Sequence, residues 1–339
     1  MRCPFAHEDI GASTRPLLAV DLNAAITAAD GDELTAAFAA IPAVTVGVSE
    51  SVDGNHHERL AAACDILITA ATPSALVPGG WVAFEGRDTA SLLDEIAGCV
   101  EASPIAAVTL AQLLRLSEHA TVRDALVAES LAYATLQSGP TFQRWLAARQ
   151  SQTPAPSSPS VRADRDGDRL DIVLDRPDRH NAFSAAMRDE LVTVLRVAAT
   201  DPSITNVTLR GEGPSFSAGG DLDEFGAVPD AATGHLVRSV RSPAWWMHQL
   251  AATVRVHVHG ACIGAGIELP AFSNHVVAHP DAFFQLPEVS MGLIPGAGGT
   301  ASISRRIGRQ RTAWLAITSA RIDSDRALDW ELVDQVRTE

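Results

Sequence analysis

Three segments decide how this chain is read: Phe216-Ser217-Ala218-Gly219-Gly220-Asp221-Leu222; His259-Gly260-Ala261-Cys262-Ile263-Gly264-Ala265-Gly266-Ile267-Glu268-Leu269; and Gln285-Leu286-Pro287-Glu288 running on to Gly292-Leu293-Ile294-Pro295-Gly296-Ala297-Gly298-Gly299-Thr300. Glycine-rich segments let a backbone approach a ligand closely, because no side chain stands where contact occurs. The second and third segments each add one glutamate, Glu268 and Glu288. N–H donors for an oxyanion, set beside two carboxyl groups for proton transfer, are the equipment for chemistry on a thioester.

Working outward, residues 204–210 and 254–258 read as strands that deliver the first two segments. Strand, glycine turn and helix start thus occur twice, an arrangement that aims free N–H groups at an anion. Residues 169–175 alternate as a further strand. Arg176-Pro177-Asp178-Arg179-His180-Asn181-Ala182-Phe183-Ser184 is a turn feeding a helix over 185–200. Ser184 is placed as its N-cap, with Met187, Leu191, Val194, Leu195 and Ala198 on the buried side. Residues 235–250 are predicted helical, with a break near Pro243.

Upstream, residues 151–163 are rich in Pro and Ser and lack periodicity, which marks a linker. It divides the chain into residues 1–150 and 164–339. In the first part, strands at 16–21, 43–48 and 65–70 alternate with helices at 32–40 and 58–64, an α/β pattern. Apolar residues then recur at three- and four-residue spacing over 91–100, 104–116, 122–137 and 141–149, predicting four helices.

Composition narrows the function. The 339 residues suffice for a sizeable core, and 46% apolar with 20% charged residues is ordinary for a globular protein. A net charge of -15 argues against nucleic acid as partner. All 26 basic residues are Arg, so lysine chemistry such as Schiff-base formation is excluded. Cys3, Cys64, Cys99 and Cys262 have no CxxC spacing and read as reduced thiols. No apolar run reaches the length of a membrane span and the N-terminus lacks a signal pattern, so the expected place is the cytoplasm. Arg255, His257 and His259 share one strand face, where a buried polar network or an exposed strand is expected rather than a metal site.

A lone glycine turn is weak evidence, and the GxGxxG spacing of a dinucleotide site fails here. The order and spacing of all three segments say more. With the Asn181-Ala182 turn they resemble the crotonase family, the enoyl-CoA hydratases and isomerases, from about residue 169 to 336. The resemblance implies an α/β fold, a ββα spiral with a helical cap. It places the two oxyanion N–H groups on Gly220 and Ala265, where relatives usually have Gly at the second. It places the catalytic carboxylates on Glu268 and Glu288, and coenzyme A contacts near Ala182, Ala218, Asp221 and Leu222. Relatives often carry Lys after the Asp-Leu pair, where this chain has Asp223; Arg179, Arg238 or Arg241 are candidates to compensate. Trp245-Trp246-Met247 reads equally as a wall of the acyl pocket or as core.

The implied reaction is addition of water to a 2-enoyl-CoA. The alternatives are isomerisation, thioester hydrolysis, C–C cleavage, or a non-catalytic acyl-CoA-binding or assembly subunit. No metal or separate cofactor is implied, coenzyme A being part of the substrate. The implied partners are an acyl-CoA thioester and further copies of the chain, as a trimer or hexamer. Relatives end in helices that follow the segment here at residues 327–334, whereas residues 125–149 look like those final helices. Residues 1–150 are therefore expected to be a shortened, degenerate copy of the fold whose helices cap the second half or mediate assembly.

Overall fold

The computed structural model describes residues 15–24, 28–52, 58–70, 79–149 and 159–338. The chain runs β1 (Leu17–Asp21), α1 (Ala28–Ala40), β2 (Val44–Ser49), α2 (Glu58–Ala63), β3 (Ile66–Thr69) and β4 (Trp81–Val82), then four helices: α3 (Thr89–Ala102), α4 (Pro104–Ser117), α5 (Val122–Gln137) and α6 (Pro140–Ala147). The second half begins with β5 (Val161–Asp166), β6 (Arg169–Leu174), α7 (Ala185–Thr200), β7 (Asn206–Gly211), α8 (Ala231–Val240), α9 (Pro243–Gln249), β8 (Val254–Val258), β9 (Ala261–Ile263) and α10 (Ala265–Glu268). It ends with β10 (His275–Ala278), β11 (Phe283–Gln285), α11 (Gly299–Thr318), β12 (Ile322–Asp323), α12 (Ser324–Asp329) and β13 (Gln335–Val336). Most of the linker, residues 151–158, lies outside the described residues. Its last three residues belong to β5, which pairs antiparallel with β6 along its whole length. The first strand of the second half thus begins at Val161, inside the expected linker, rather than after 163.

Three sheets form. β1-β2-β3-β4 is parallel; β13-β10-β8-β7-β6-β5 is parallel except at β5; β12-β11-β9 is small and mixed. In β7 and β8 alternate residues are buried, so Val207, Leu209, Val254, Val256 and Val258 face the core. Arg255 and His257 point to the other face and His259 lies beyond the strand end, its Nε2 2.8 Å from Gly213 O. Local signals set the helix starts. Ser184 Oγ accepts from Met187 N at 3.2 Å, and Ser242 caps α9, whose first residue is Pro243. That proline separates α8 from α9.

The two halves share one core. Leu110, Leu114, Ala125 and Leu136 of the first join Ile303, Trp314, Leu315 and Leu332 of the second in a single buried cluster. Helices α3, α4 and α5 pack on α11, and α5 also packs on α8. Each fully buried Leu or Ile contributes about 1.5–3 kcal/mol, so neither half keeps its apolar faces covered alone. A buried polar joint adds to this. Asp65, 1% exposed, receives Arg115 Nε at 2.8 Å and Nη2 at 2.5 Å, and Arg309 Nη1 of α11 at 3.4 Å. Arg309 further donates to Cys64 O, Ala62 O and Glu118. A charge buried this deeply is held by partners on every side.

Candidate active site

In an open parallel sheet, loops at the carboxyl ends of adjacent strands converge, and ligands bind there. β6, β7 and β8 are adjacent and parallel. Their ends deliver the Asn181 turn, the 216–222 segment and the 259–268 segment. Asn181 is fully buried at positive φ and ties the first two loops together. Its Oδ1 accepts from Arg176 N at 2.8 Å, and its Nδ2 donates to Glu212 O and Ser215 O, both at 2.9 Å. Ser217 N donates to Ala261 O at 3.1 Å and Ile263 N donates to Ser217 O at 3.0 Å, laying the second and third loops side by side. The approach is so close that a Cβ on Gly266 would fall 2.4 Å from Ser217 O.

These loops open on a cavity of about 690 Å³ lined by Gly220, Asp221, Ala265, Glu268 and Glu288. The amides of Gly220 and Ala265 have no hydrogen-bond acceptor among the described residues. Free N–H groups at a cavity are what a developing oxyanion requires, and Ala265 keeps its donor although its methyl occupies space.

Glu268 is 2% exposed. Its Oε2 accepts from Ala297 N at 2.7 Å and Gly299 N at 2.9 Å. Burial, then the nearby Glu288 and Glu129, push its carboxyl well above the usual range. Glu288 lies in the turn after β11; burial pushes it up to about 8. Its Oε2 is sealed from solvent without a hydrogen-bond partner among the described residues. A Cβ on Gly264 would fall 2.4 Å from Glu288 Oε1 and 3.7 Å from Glu268 Oε1, so both carboxyls converge on one small volume. Gly264 N donates to Gln285 O at 3.0 Å, which fixes the two segments against each other.

Other expected site residues are placed differently. Asp221 reaches the cavity, but its carboxylate is taken by Arg176 at 3.0 Å and Arg179 at 3.5 Å. Ala182, Ala218 and Leu222 flank this point without lining the cavity; Ala182 O accepts from Arg176 Nη1 at 2.6 Å and Ala218 N donates to His180 O at 2.9 Å. Asp223 is neutralised by Arg179 and by Arg149, 3.6 Å away, and Arg241 pairs with Asp189 at 2.8 Å. Arg238 lines the cavity, over the Tyr133 ring at 4.5 Å. Of the 245–247 stretch, Trp245 lines the cavity and Met247 is core.

The helices of the first half were expected to cap the second or mediate assembly, but no residue of theirs was expected at the site. Leu126, Glu129, Ser130 and Tyr133 of α5 line the same cavity. Glu129 is 2% exposed, and burial pushes it up to about 7. A glutamate on the buried side of an amphipathic helix was the available signal, since an acid that deep needs partners.

Fold and site define an α/β protein whose cavity is lined by residues with free amides and by paired carboxyls. The pattern of the enoyl-CoA hydratase/isomerase family matches residues 169–339, half the chain. The chain belongs to that family. It is 35% identical over 167 residues to 2,3-dehydroadipyl-CoA hydratase of Escherichia coli (strain K12), covering 49% of this chain and 64% of that protein. It is 30% identical over 169 residues to mitochondrial enoyl-CoA hydratase of Pongo abelii, covering 49% and 56%. The chain therefore spans less than two thirds of the length of these relatives. Among solved structures, an enoyl-CoA hydratase/isomerase from Mycobacterium paratuberculosis superposes with a TM-score of 0.50 at 28% identity, covering 54% of this chain and 74% of that one.

Proposed function

We propose that this protein adds water to the double bond of a 2-enoyl-CoA thioester. The observation that carries the reading is the shared cavity: Gly220 and Ala265, whose amides are free, line it together with Glu268 and Glu288, whose carboxyls converge. The thioester oxygen accepts from both amides, each donor contributing about 3–4 kcal/mol as charge develops on that oxygen. Glu268, steadied by two amides on Oε2, takes a proton from water through Oε1 as the water oxygen bonds to C3. The C2–C3 π electrons move onto the thioester oxygen as an enolate. Glu288, neutral at pH 7 and with a free Oε2, gives its proton to C2 as the enolate collapses. Burial raises both carboxyls and Glu288 further opposes the ionisation of Glu268, so the pair readily gives up only one proton; the two amides on Glu268 Oε2 favour the charge there, leaving Glu288 protonated as the acid. Coenzyme A runs out past Ala182, Ala218, Asp221 and Leu222.

Isomerisation is the second reading, favoured by the unpartnered Glu288 Oε2, since one protonatable group suffices to relay a proton between two carbons. The two are separated by oxygen-18 water. Hydration puts one heavy oxygen on C3 of a 3-hydroxyacyl-CoA product, read by mass spectrometry; an unlabelled isomer as sole product contradicts the proposal.

In the same reading, residues 1–150 are a shortened relative of this fold that has lost the active-site segments and kept its closing helices. The packing of α3, α4 and α5 on α11 supports it, since relatives close the core with helices of their own.

A further inference from the structure

Consecutive amides at the start of α11 alternate between two carboxylates. Those of Ala297 and Gly299 donate to Glu268, at 2.7 and 2.9 Å. Those of Gly298 and Thr300 donate to Glu129, at 2.7 and 3.0 Å, and Thr300 Oγ1 adds a third bond at 2.6 Å. We propose that Glu129 is a positioning residue of the active site: by gripping Gly298 and Thr300 it holds the Ala297 and Gly299 amides on Glu268, so that the first half of the chain sets the orientation of the general base. The inference rests on the hydration reading for its kinetic test but not for its spectroscopic one.

Three features support it. All three hydrogen bonds that the Glu129 carboxyl accepts come from the α11 start, which ties it to that turn. Four successive residues of a turn cannot move independently: displacing Gly298 or Thr300 displaces the peptide units that bond Glu268. The grip also comes from outside the loop, on a separately packed helix, so it constrains the loop against the cavity rather than merely closing it on itself. The charged and titratable groups facing Glu129 are Tyr133 on its own helix, Arg238 on α8, Glu268 on α10 and Glu288 after β11. Glu268, Glu288 and Tyr133 each feel Glu129 as a like charge that opposes ionisation; of the three, only Glu268 also shares the α11 start with it through hydrogen bonds.

The test compares wild type with Glu129→Gln and Thr300→Val in the full chain. Glu129→Gln keeps the shape but turns one acceptor into a donor facing an amide. A reduction of kcat by about ten- to a hundredfold is expected, the size of a small misplacement, with KM within about threefold. The limb of the kcat–pH profile that reports Glu268 is expected to move to lower pH, because a like charge has gone. Thr300→Val, which removes one hydroxyl donor, is expected to lower kcat by a smaller factor, and it decides the matter if the first variant fails to fold. The protonated-carboxyl infrared band that disappears in Glu268→Gln reads the same shift without turnover. If wild type hydrates no 2-enoyl-CoA, the functional reading fails while the band still decides this one. Unchanged kcat and pH profile, or an unshifted band, with only a lower melting temperature, overturns the proposal.

Discussion

A Cβ on Gly264 would stand 2.4 Å from Glu288 Oε1, closer than any side-chain carbon can approach an oxygen. The residue also has φ +50 and ψ -120, a conformation open to glycine and costly by about 1–3 kcal/mol to others. Gly264→Ala is therefore expected to push Glu288 aside, lowering kcat at least about a hundredfold with a modest loss of stability. Steady-state kinetics beside thermal melting check this; a fully active Gly264→Ala contradicts the geometry.

Each carboxyl is expected to matter separately. Glu268→Gln and Glu288→Gln should each reduce kcat by about 10²–10⁴-fold, the usual weight of a positioned acid or base. Titration calorimetry with a saturated acyl-CoA, which cannot be hydrated, should find affinity unchanged within a few fold. Lost binding would place these residues in recognition instead.

The site should be legible in stability as well. Burial raises the Glu288 carboxyl from its ordinary 4.5 to about 8, so the folded protein holds this proton where the unfolded chain has released it. Its contribution is fully present below about pH 4.5 and is lost as pH rises through about 8. Unfolding free energies from urea titrations should fall less steeply across that window in Glu288→Gln than in wild type. Equal slopes contradict the assignment.

Where the halves meet, Arg309→Ala is expected to destabilise by about 3 kcal/mol, because it removes one of the two arginines bonded to the buried Asp65. Removing residues 1–150 goes further, uncovering the apolar face of α11 and taking away Glu129; an insoluble or inactive product is expected. A soluble and active fragment would show that the second half closes its own core.

What the sequence disclosed follows the range of its signals. The glycine segments with Glu268 and Glu288 stood out because glycine spacing and an acid within one segment are local patterns, and the strands before them alternate plainly; Gly220 and Ala265 were picked out within them by the family resemblance. The helices over 91–149 were legible from periodicity. Glu129 was only half legible: its place on the buried side of α5 signals an acid that needs partners, but nothing in Ala128-Glu129-Ser130 says that a loop 169 residues further along supplies them. The role of Asp221 was obscured likewise: its partners Arg176 and Arg179 come from another strand's loop. The short strand β5 was hidden by the Pro and Ser residues beside it, although Val161 to Asp166 pair with β6 throughout.

The most direct test of the central claim is the ultraviolet absorbance of short, medium and aromatic 2-enoyl-CoA thioesters mixed with the purified protein. The account predicts that the conjugated enoyl band disappears with at least one of them, yielding 3-hydroxyacyl-CoA, and persists with Glu268→Gln. A band that persists with every thioester, under conditions where the thioesters bind, would contradict it.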